Sequence, residues 1–434
     1  MRVLALDVGS SSVKAAVFRG RSILGNISRR AYPTLHDGVK VEVDAEVLFG
    51  AIAGAIAELG RAARVVDAIS LSVMSPAWAA LDQRGRVITP IVTHQDRRSI
   101  AIAQEIENRV GRARHLRLAG NRPFPGSISS TTCAYFLRHH KSTMARADLV
   151  GHLNTVIHSR LTGSRVIDPS NASFTGLYLT CKLGGWSDEL CEATGISKSK
   201  LPEIAEANAV AGRVNNAAAA EFGLAAGTPV LTGIVDTTAA VFYAGTSPGQ
   251  VFHMCGSTDV LAVVSARPRP HERLLTRAFG IGRKWISAAT QAASGSAIDW
   301  VRREFFGDLT DAKFRALLSQ PPDAGSVRFD PYLAGDRMGM LPRTANFTGL
   351  TLATSRRQML SAVIESLAAD SRNRIELLRQ VHRHLLPTVG VSGGGAGLGE
   401  IMHRDWPGKW KFKPLTEAVL RGLAVMVEKK TSTN

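Results

Sequence analysis

Two stretches of this 434-residue chain, roughly 250 residues apart, share one arrangement of turn and hydroxyl residues: Asp7-Val8-Gly9-Ser10-Ser11-Ser12-Val13 and Met254-Cys255-Gly256-Ser257-Thr258-Asp259-Val260. A glycine lets the backbone turn sharply, and the small residues after it offer N–H and O–H donors to phosphate oxygens. Gly9, Ser10, Ser11 and Ser12 in the first copy, and Gly256, Ser257 and Thr258 in the second, are therefore candidate phosphate ligands. The copies differ at one position that matters. Asp7 in the first is Met254 in the second, so only the first carries a carboxylate suited to holding Mg²⁺ through water; the bland alternative is a turn cap. A second carboxylate, Asp236, ends an apolar run and is followed by Thr237 and Thr238, where it could take a proton from a hydroxyl or simply cap a helix. Lys14 could neutralise phosphate or face solvent. Gly393-Gly394-Gly395-Ala396 would let backbone approach a flat ligand or phosphate closely. It fits neither the P-loop nor the dinucleotide glycine pattern.

These groups need a scaffold. Each hairpin lies between apolar runs that read as buried strands, and the repetition implies two similar halves, 1–244 and 245–434, each of ordinary domain size. In the first half the pattern predicts a strand meander over the first ~30 residues, a helix over 45–63, strands over 68–73 and 87–93, and helices over 99–110 and 131–139. The segment 168–176, rich in Ser, Asn and Thr, reads as a loop, and 229–233 as a strand delivering Asp236. In the second half, helices are expected over 297–306, 356–383 and 398–403, and a strand over 388–392 leads into the glycines.

Longer matches extend the pattern. They are Gly233-Ile234-Val235-Asp236-Thr237-Thr238-Ala239-Ala240; Pro331-Tyr332-Leu333-Ala334-Gly335-Asp336-Arg337; and Ala345-x-Phe347-x-Gly349-Leu350, followed after seven residues by Gln358-Met359-x-x-Ala362-Val363-Ile364-Glu365. With Gly393-Gly394-Gly395-Ala396 they stand in the order of the FGGY family of carbohydrate kinases, which the chain resembles over nearly its whole length. The N-terminal signature departs from the family near Thr132 and Tyr135. The resemblance implies an α/β fold of two duplicated ribonuclease H-like domains, as in the actin, Hsp70 and hexokinase ATPases, with a cleft between them. It implies an ATP:sugar phosphotransferase with Mg²⁺, in which Asp236 is the general base, Asp7 and Asp236 serve the metal, and the glycine run lies on the adenosine side. Met74, Ser75 and Trp78 align with one substrate loop, and His94 and Asp96 with another; Thr237 stands where the family carries Asn or Gln. His94 could equally be a packed loop histidine. The substrate class is a ketopentose such as xylulose or ribulose, or a related polyol. A glycerol or hexulose kinase, and an actin-like ATPase with a decayed sugar site, stay open beside it.

Composition fits a soluble, cytoplasmic enzyme, with 45% hydrophobic and 21% charged residues, no apolar run of membrane-spanning length and no secretion signal. Cys133, Cys181, Cys191 and Cys255 lack C-x-x-C spacing, which excludes the common zinc patterns; Cys255 reads as a small packing residue. The net charge of +17 is dispersed and no nucleic-acid module accompanies it, so the expected partners are a sugar and ATP rather than nucleic acid or membrane. A homodimer is left open.

Overall fold

The computed structural model describes residues 1–393 and 398–431. The chain forms two compact units, one made of Met1–Thr246, Val264–Ile286 and the segment from Glu417 onward, the other of Ser247–Val263 and Ser287–Thr416.

In the first unit the strand Arg2–Val8 pairs antiparallel with Ser12–Arg19 on one side and parallel with Ala68–Val73 on the other. The sheet continues to Ser22–Ala31 at one edge and to Pro229–Leu231 and Val210–Arg213 at the other, with Ile234–Val235 also pairing Ala68–Val73. Every residue of Ala68–Val73 is buried, as expected of a strand covered on both faces. The helix Ala45–Ala57 covers one face through Leu48, Phe49, Ile52 and Ile56, and Asp44 caps it by accepting from Val47 N at 2.9 Å. The helix expected over 45–63 ends early: Gly60 has φ +57°, and a separate turn of helix, Arg61–Arg64, follows. The helix Ala418–Thr431 packs on the helix Asp236–Ala244, where a Cβ on Gly422 would lie 2.0 Å from Ala239 O. Only glycine permits that approach.

A smaller sheet of the same unit has the order Leu35–Asp37, Lys40–Val43, Ile91–Thr93, Ala77–Leu81, Leu149–His152. The segment 168–176 is not a loop: Pro169–Ser173 is a short buried helix with Asp168 as its N-cap. Its polarity comes from internal hydrogen bonding rather than solvent exposure.

The second unit repeats the hairpin scaffold. Val251–Cys255 pairs antiparallel with Asp259–Ser265 and parallel with Thr388–Ser392, which pairs parallel with Lys411–Pro414. The long helix Arg356–Val381 starts at a capping box formed by Ser355 and Gln358, and buries Leu360, Val363, Ile364, Leu367, Ile375 and Leu378. Among the described residues no helix is long and apolar enough to cross a membrane.

Candidate active site

Sheet register brings the two proposed carboxylates together. Asp7 and Ile234 both pair with Ser72, from opposite sides of the strand Ala68–Val73, so Asp7 and the residues following Val235 emerge at the same carboxyl end of the sheet. Ligands of open α/β sheets bind outside that end. Gly233 makes the delivery possible, since it has φ +83° and a Cβ there would lie 2.7 Å from Leu71 O. Asp236 opens the helix Asp236–Ala244, stays half-buried, and accepts from Thr237 N at 2.5 Å. Asp7 accepts from Ser72 Oγ at 2.9 Å. Burial and then the charge of Asp236 push Asp7 up to about 7, against the smaller opposing pull of Ser72 and Lys14. Two neighbouring carboxylates, one of them raised by the charge of the other, make a site whose chemistry suits a cation.

Arg277, which sequence reasoning did not single out, supports this end of the sheet. It is fully buried, donates from Nε to Thr238 Oγ1 at 2.9 Å and from Nη2 to Thr237 Oγ1 at 3.0 Å, and lies over the Phe174 ring. Burial draws its pKa down to about 10 while the charges of Asp236 and Asp168 hold it up. Asp168 accepts from Ser170 N at 2.8 Å and Asn171 Nδ2 at 2.6 Å, and burial pushes it up to about 6. Ser170 Oγ in turn accepts from Val235 N at 3.2 Å, fixing the residue before Asp236. The sequence did carry signals for both. An Asp before Pro at a first helical turn is a capping pattern, and an Arg in the apolar run Leu274-Leu275-Thr276-Arg277-Ala278-Phe279 must find buried partners.

In the first hairpin Gly9 N donates to Ser12 O at 3.1 Å, Tyr32 hydroxyl bonds Gly9 O, and Thr34 Oγ1 donates to Ser10 O at 3.1 Å. These bonds brace the turn from behind and leave the Ser10 and Ser11 side chains exposed. Ser12 Oγ accepts from Arg29 Nε at 3.2 Å. Lys14 forms an ion pair with Glu417 at 2.9 Å. The second hairpin closes by Gly256 N to Thr258 O at 3.0 Å and is tied to the start of the helix Gly295–Phe305 by Ser294 N to Ser257 O at 2.9 Å. Ser257 is exposed and Thr258 partly so. Gly393 meets this hairpin so closely that a Cβ would lie 2.1 Å from Cys255 O. Gly394, Gly395 and Ala396 lie outside the described residues.

The substrate-loop residues divide. Ser75 follows the carboxyl end of Ala68–Val73, buried, with no hydrogen-bond partner for its Oγ among the described residues. Thr237 stands beside Asp236, and His94 is buried next to the segment that Gly126 covers. Met74 belongs to the core of the unit. Trp78 is also core: its Nε1 donates to Thr132 Oγ1 at 2.7 Å and its ring meets Phe136 edge-on at 5.3 Å. Asp96 is fully buried, accepting from Val41 N at 3.0 Å, Arg98 N at 3.0 Å and Arg98 Nη2 at 2.6 Å. The polar atoms of Trp78 and Asp96 are thus engaged within the fold.

Against known proteins, residues 2–243 match the FGGY family of carbohydrate kinases, N-terminal domain, and residues 251–403 the C-terminal domain of that family. The chain belongs to the FGGY family and is a carbohydrate kinase. It is 25% identical to L-fuculokinase of Escherichia coli strain K12 over 344 residues, 76% of this chain and 70% of that protein. It is 27% identical to glycerol kinase 2 of Thermotoga maritima over 416 residues, 90% of this chain and 82% of that protein. The crystal structure of xylulose kinase from Rhodospirillum rubrum superposes with TM-score 0.83 at 24% identity, covering 100% of this chain and 89% of that one. At that identity the superposition carries the fold, which is the actin and hexokinase type of ATPase fold.

Proposed function

We propose that this kinase transfers the γ-phosphoryl group of Mg·ATP to a hydroxyl of a ketopentose or related polyol, with Asp236 as general base. The observation that carries the reading is that Asp7, registered on Ser72, and Asp236, two residues beyond Ile234 on that same register, stand at one carboxyl end of the sheet, with Asp7 driven up to about 7 by burial and its neighbour. These carboxylates fit Mg²⁺, and Asp7 and Asp236 would hold it. When bound it would supply the positive charge that phosphoryl transfer needs at the phosphates.

The chain's own groups do the rest. Asp236, half-buried and freshly delivered by Gly233, removes the proton from the attacking hydroxyl. Arg277 keeps Thr237 and Thr238 in place so that the aspartate presents its carboxylate to the sugar rather than rotating away. Ser75, His94 and Thr237 contact sugar hydroxyls, with Met74, Trp78 and Asp96 shaping the loops beneath them. Gly9, Ser10, Ser11, Ser12 and Lys14, with Gly256, Ser257 and Thr258, receive the phosphates, and Gly393 to Ala396 the adenosine. In this reading residues 1–244 serve the sugar and the first phosphate hairpin, residues 245–434 serve the nucleotide, and the enzyme works in the cytoplasm.

A second reading, a glycerol or deoxyhexulose kinase, rests on relatives of comparable identity named glycerol kinase and L-fuculokinase. A coupled ADP-release screen with Mg·ATP over ketopentoses, deoxyketohexoses, glycerol, aldoses and sugar acids separates them. Stimulation by a ketopentose above all others is expected. Preference for glycerol or a deoxyketohexose selects the second reading, and slow hydrolysis unaffected by any of these compounds overturns sugar-kinase activity in this chain.

A further inference from the structure

The second hairpin carries a cluster that the phosphotransfer reading does not use. His253 and Cys255 project from the same face of the strand Val251–Cys255, two residues apart, and His403 reaches them from the end of the helix Leu398–His403. Their ligating atoms all lie within 4.8 Å of one another. Cys255 Sγ is 3.3 Å from His253 Nδ1, and His403 Nε2 is 2.7 Å from the same nitrogen. Behind them His253 Nε2 bonds Asp259 Oδ2 at 2.7 Å, and Asp259 is ion-paired with Arg374.

Three features distinguish this from ordinary polar packing. Asp259 takes the Nε2–H of His253, so Nδ1 keeps a single lone pair, and both the thiol and His403 converge on it. One acceptor cannot satisfy two neighbours fully, whereas one cation would accept a lone pair from all three. A carboxylate holding the far nitrogen of a ligating imidazole is also the usual outer partner of a zinc-bound histidine. Finally, a tetrahedral site with Zn–N of about 2.0–2.1 Å and Zn–S of about 2.3 Å separates its ligands by roughly 3.3–3.6 Å. The separation of Cys255 Sγ from His253 Nδ1, 3.3 Å, lies within a few tenths of an ångström of this, and the two nitrogens, 2.7 Å apart, need to part by a little over half an ångström. Stacking of His403 on Phe412 at 3.9 Å, and of His253 on Trp406 at 5.6 Å, fixes the ring planes and lines the site with apolar surface.

We propose that His253 Nδ1, Cys255 Sγ and His403 Nε2 form a three-ligand site for a thiophilic divalent cation of the Zn²⁺ class, with water in the fourth position. Binding exchanges the thiol proton for the metal: the S–H bond breaks, the thiolate pair goes to the cation and the proton leaves to solvent. The site joins the strand that opens the second hairpin to the helix following the glycine run, so an occupied site braces Gly256-Ser257-Thr258 from behind. The sequence hid it because the ligands are 2 and 148 residues apart and match no zinc spacing.

The full chain, incubated with Zn²⁺ in a buffer containing a weak chelator and then gel-filtered, is expected to retain one zinc per protein. Cys255→Ala and His403→Gln are expected to retain none above background. Co²⁺ in place of Zn²⁺ should give a thiolate-to-metal charge-transfer absorption that Cys255→Ala abolishes. Zinc retained equally by wild type and both variants, or a cobalt protein with no thiolate band, overturns the proposal. So does absence of retained zinc in the wild type. Should His403→Gln fail to fold, Cys255→Ala decides alone, since its side chain is a small group in an apolar pocket. None of these readouts depends on kinase turnover, so the site and the sugar-kinase reading stand or fall separately.

Discussion

The two hairpins share a fold and use their acids in opposite ways. In both, a buried strand turns through glycine and hydroxyl residues into an antiparallel partner, and lies parallel to a third strand on its other side. The first places its aspartate before the turn, at Asp7, where the hydrogen bond of Ser72 and the charge of Lys14 are outweighed by burial and Asp236. The second places its aspartate after the turn, at Asp259. Burial alone would raise that acid too, but the charge of Arg374 and the hydrogen bonds from Arg374 and His253 hold it far below the usual carboxylate range. Met254 fills the place of Asp7. One scaffold thus occurs twice, and what separates the raised carboxylate from the lowered one is the neighbouring charge. An acid kept short of cations is poised for a ligand, and an acid with its own arginine is finished.

The largest test breaks the active side of the comparison. Asp236→Asn removes the proposed proton acceptor while keeping size and the bond from Thr237 N, so turnover should fall by about 10² to 10⁴ with the affinity for metal-free nucleotide nearly unchanged. Steady-state kinetics beside a nucleotide titration reads this directly. Near-normal kcat would return Asp236 to the role of a helix-opening residue.

On the structural side, Asp259→Asn leaves Arg374 buried with Asp370 as its one remaining acidic partner among the described residues, and should cost about 3 to 5 kcal/mol by chemical denaturation. Replacing both Asp259 and Arg374 by Leu should recover most of that loss, because a buried pair exchanged for apolar packing is often close to neutral. A double variant as unstable as the single one would mean that His253, which also leans on Asp259, carries the cost.

Much of this contrast was legible before any coordinates. The hairpins, the strand leading to Asp236 and the long helix from residue 356 follow from apolar periodicity and turn residues, which act locally. What stayed hidden is non-local. Asp96 reads as a polar loop residue because nothing in the sequence shows that Val41 and Arg98 saturate it. Arg277 gains its meaning only from Thr237 and Thr238, about 40 residues away. Cys255 looks like filler until His403 arrives from the far end of the chain. The helix Pro169–Ser173 was misread for a different reason: its hydroxyls satisfy Asp168 and the backbone in the interior, so polarity there does not mean exposure.

The smallest expected effect sharpens the comparison most, because its sign is opposite on the two sides. Asp7 has its folded pKa raised, to about 7, so the stability it contributes is fully present below the unfolded value near 3.8 and is lost as pH rises through 7. Asp7→Asn removes that loss. In the absence of Mg²⁺ the variant should match wild type near pH 4 and exceed it at pH 8 by about 1 to 2 kcal/mol, the full electrostatic cost being reduced because water reaches the carboxylate. Asp259 has its folded pKa lowered, so its contribution is present above the unfolded value and fades as pH falls through the acid range. Asp259→Asn should therefore cost the same at every pH above the unfolded value near 3.8 and less as pH falls below it. Denaturation midpoints of both variants and wild type from about pH 2 to 8, in chelator, measure the two trends together. Parallel trends would mean that the hairpins treat their aspartates alike; with crossing trends, and Asp7→Asn more stable yet slower in Mg·ATP turnover, Asp7 is an acid retained for its ligand at the expense of the fold.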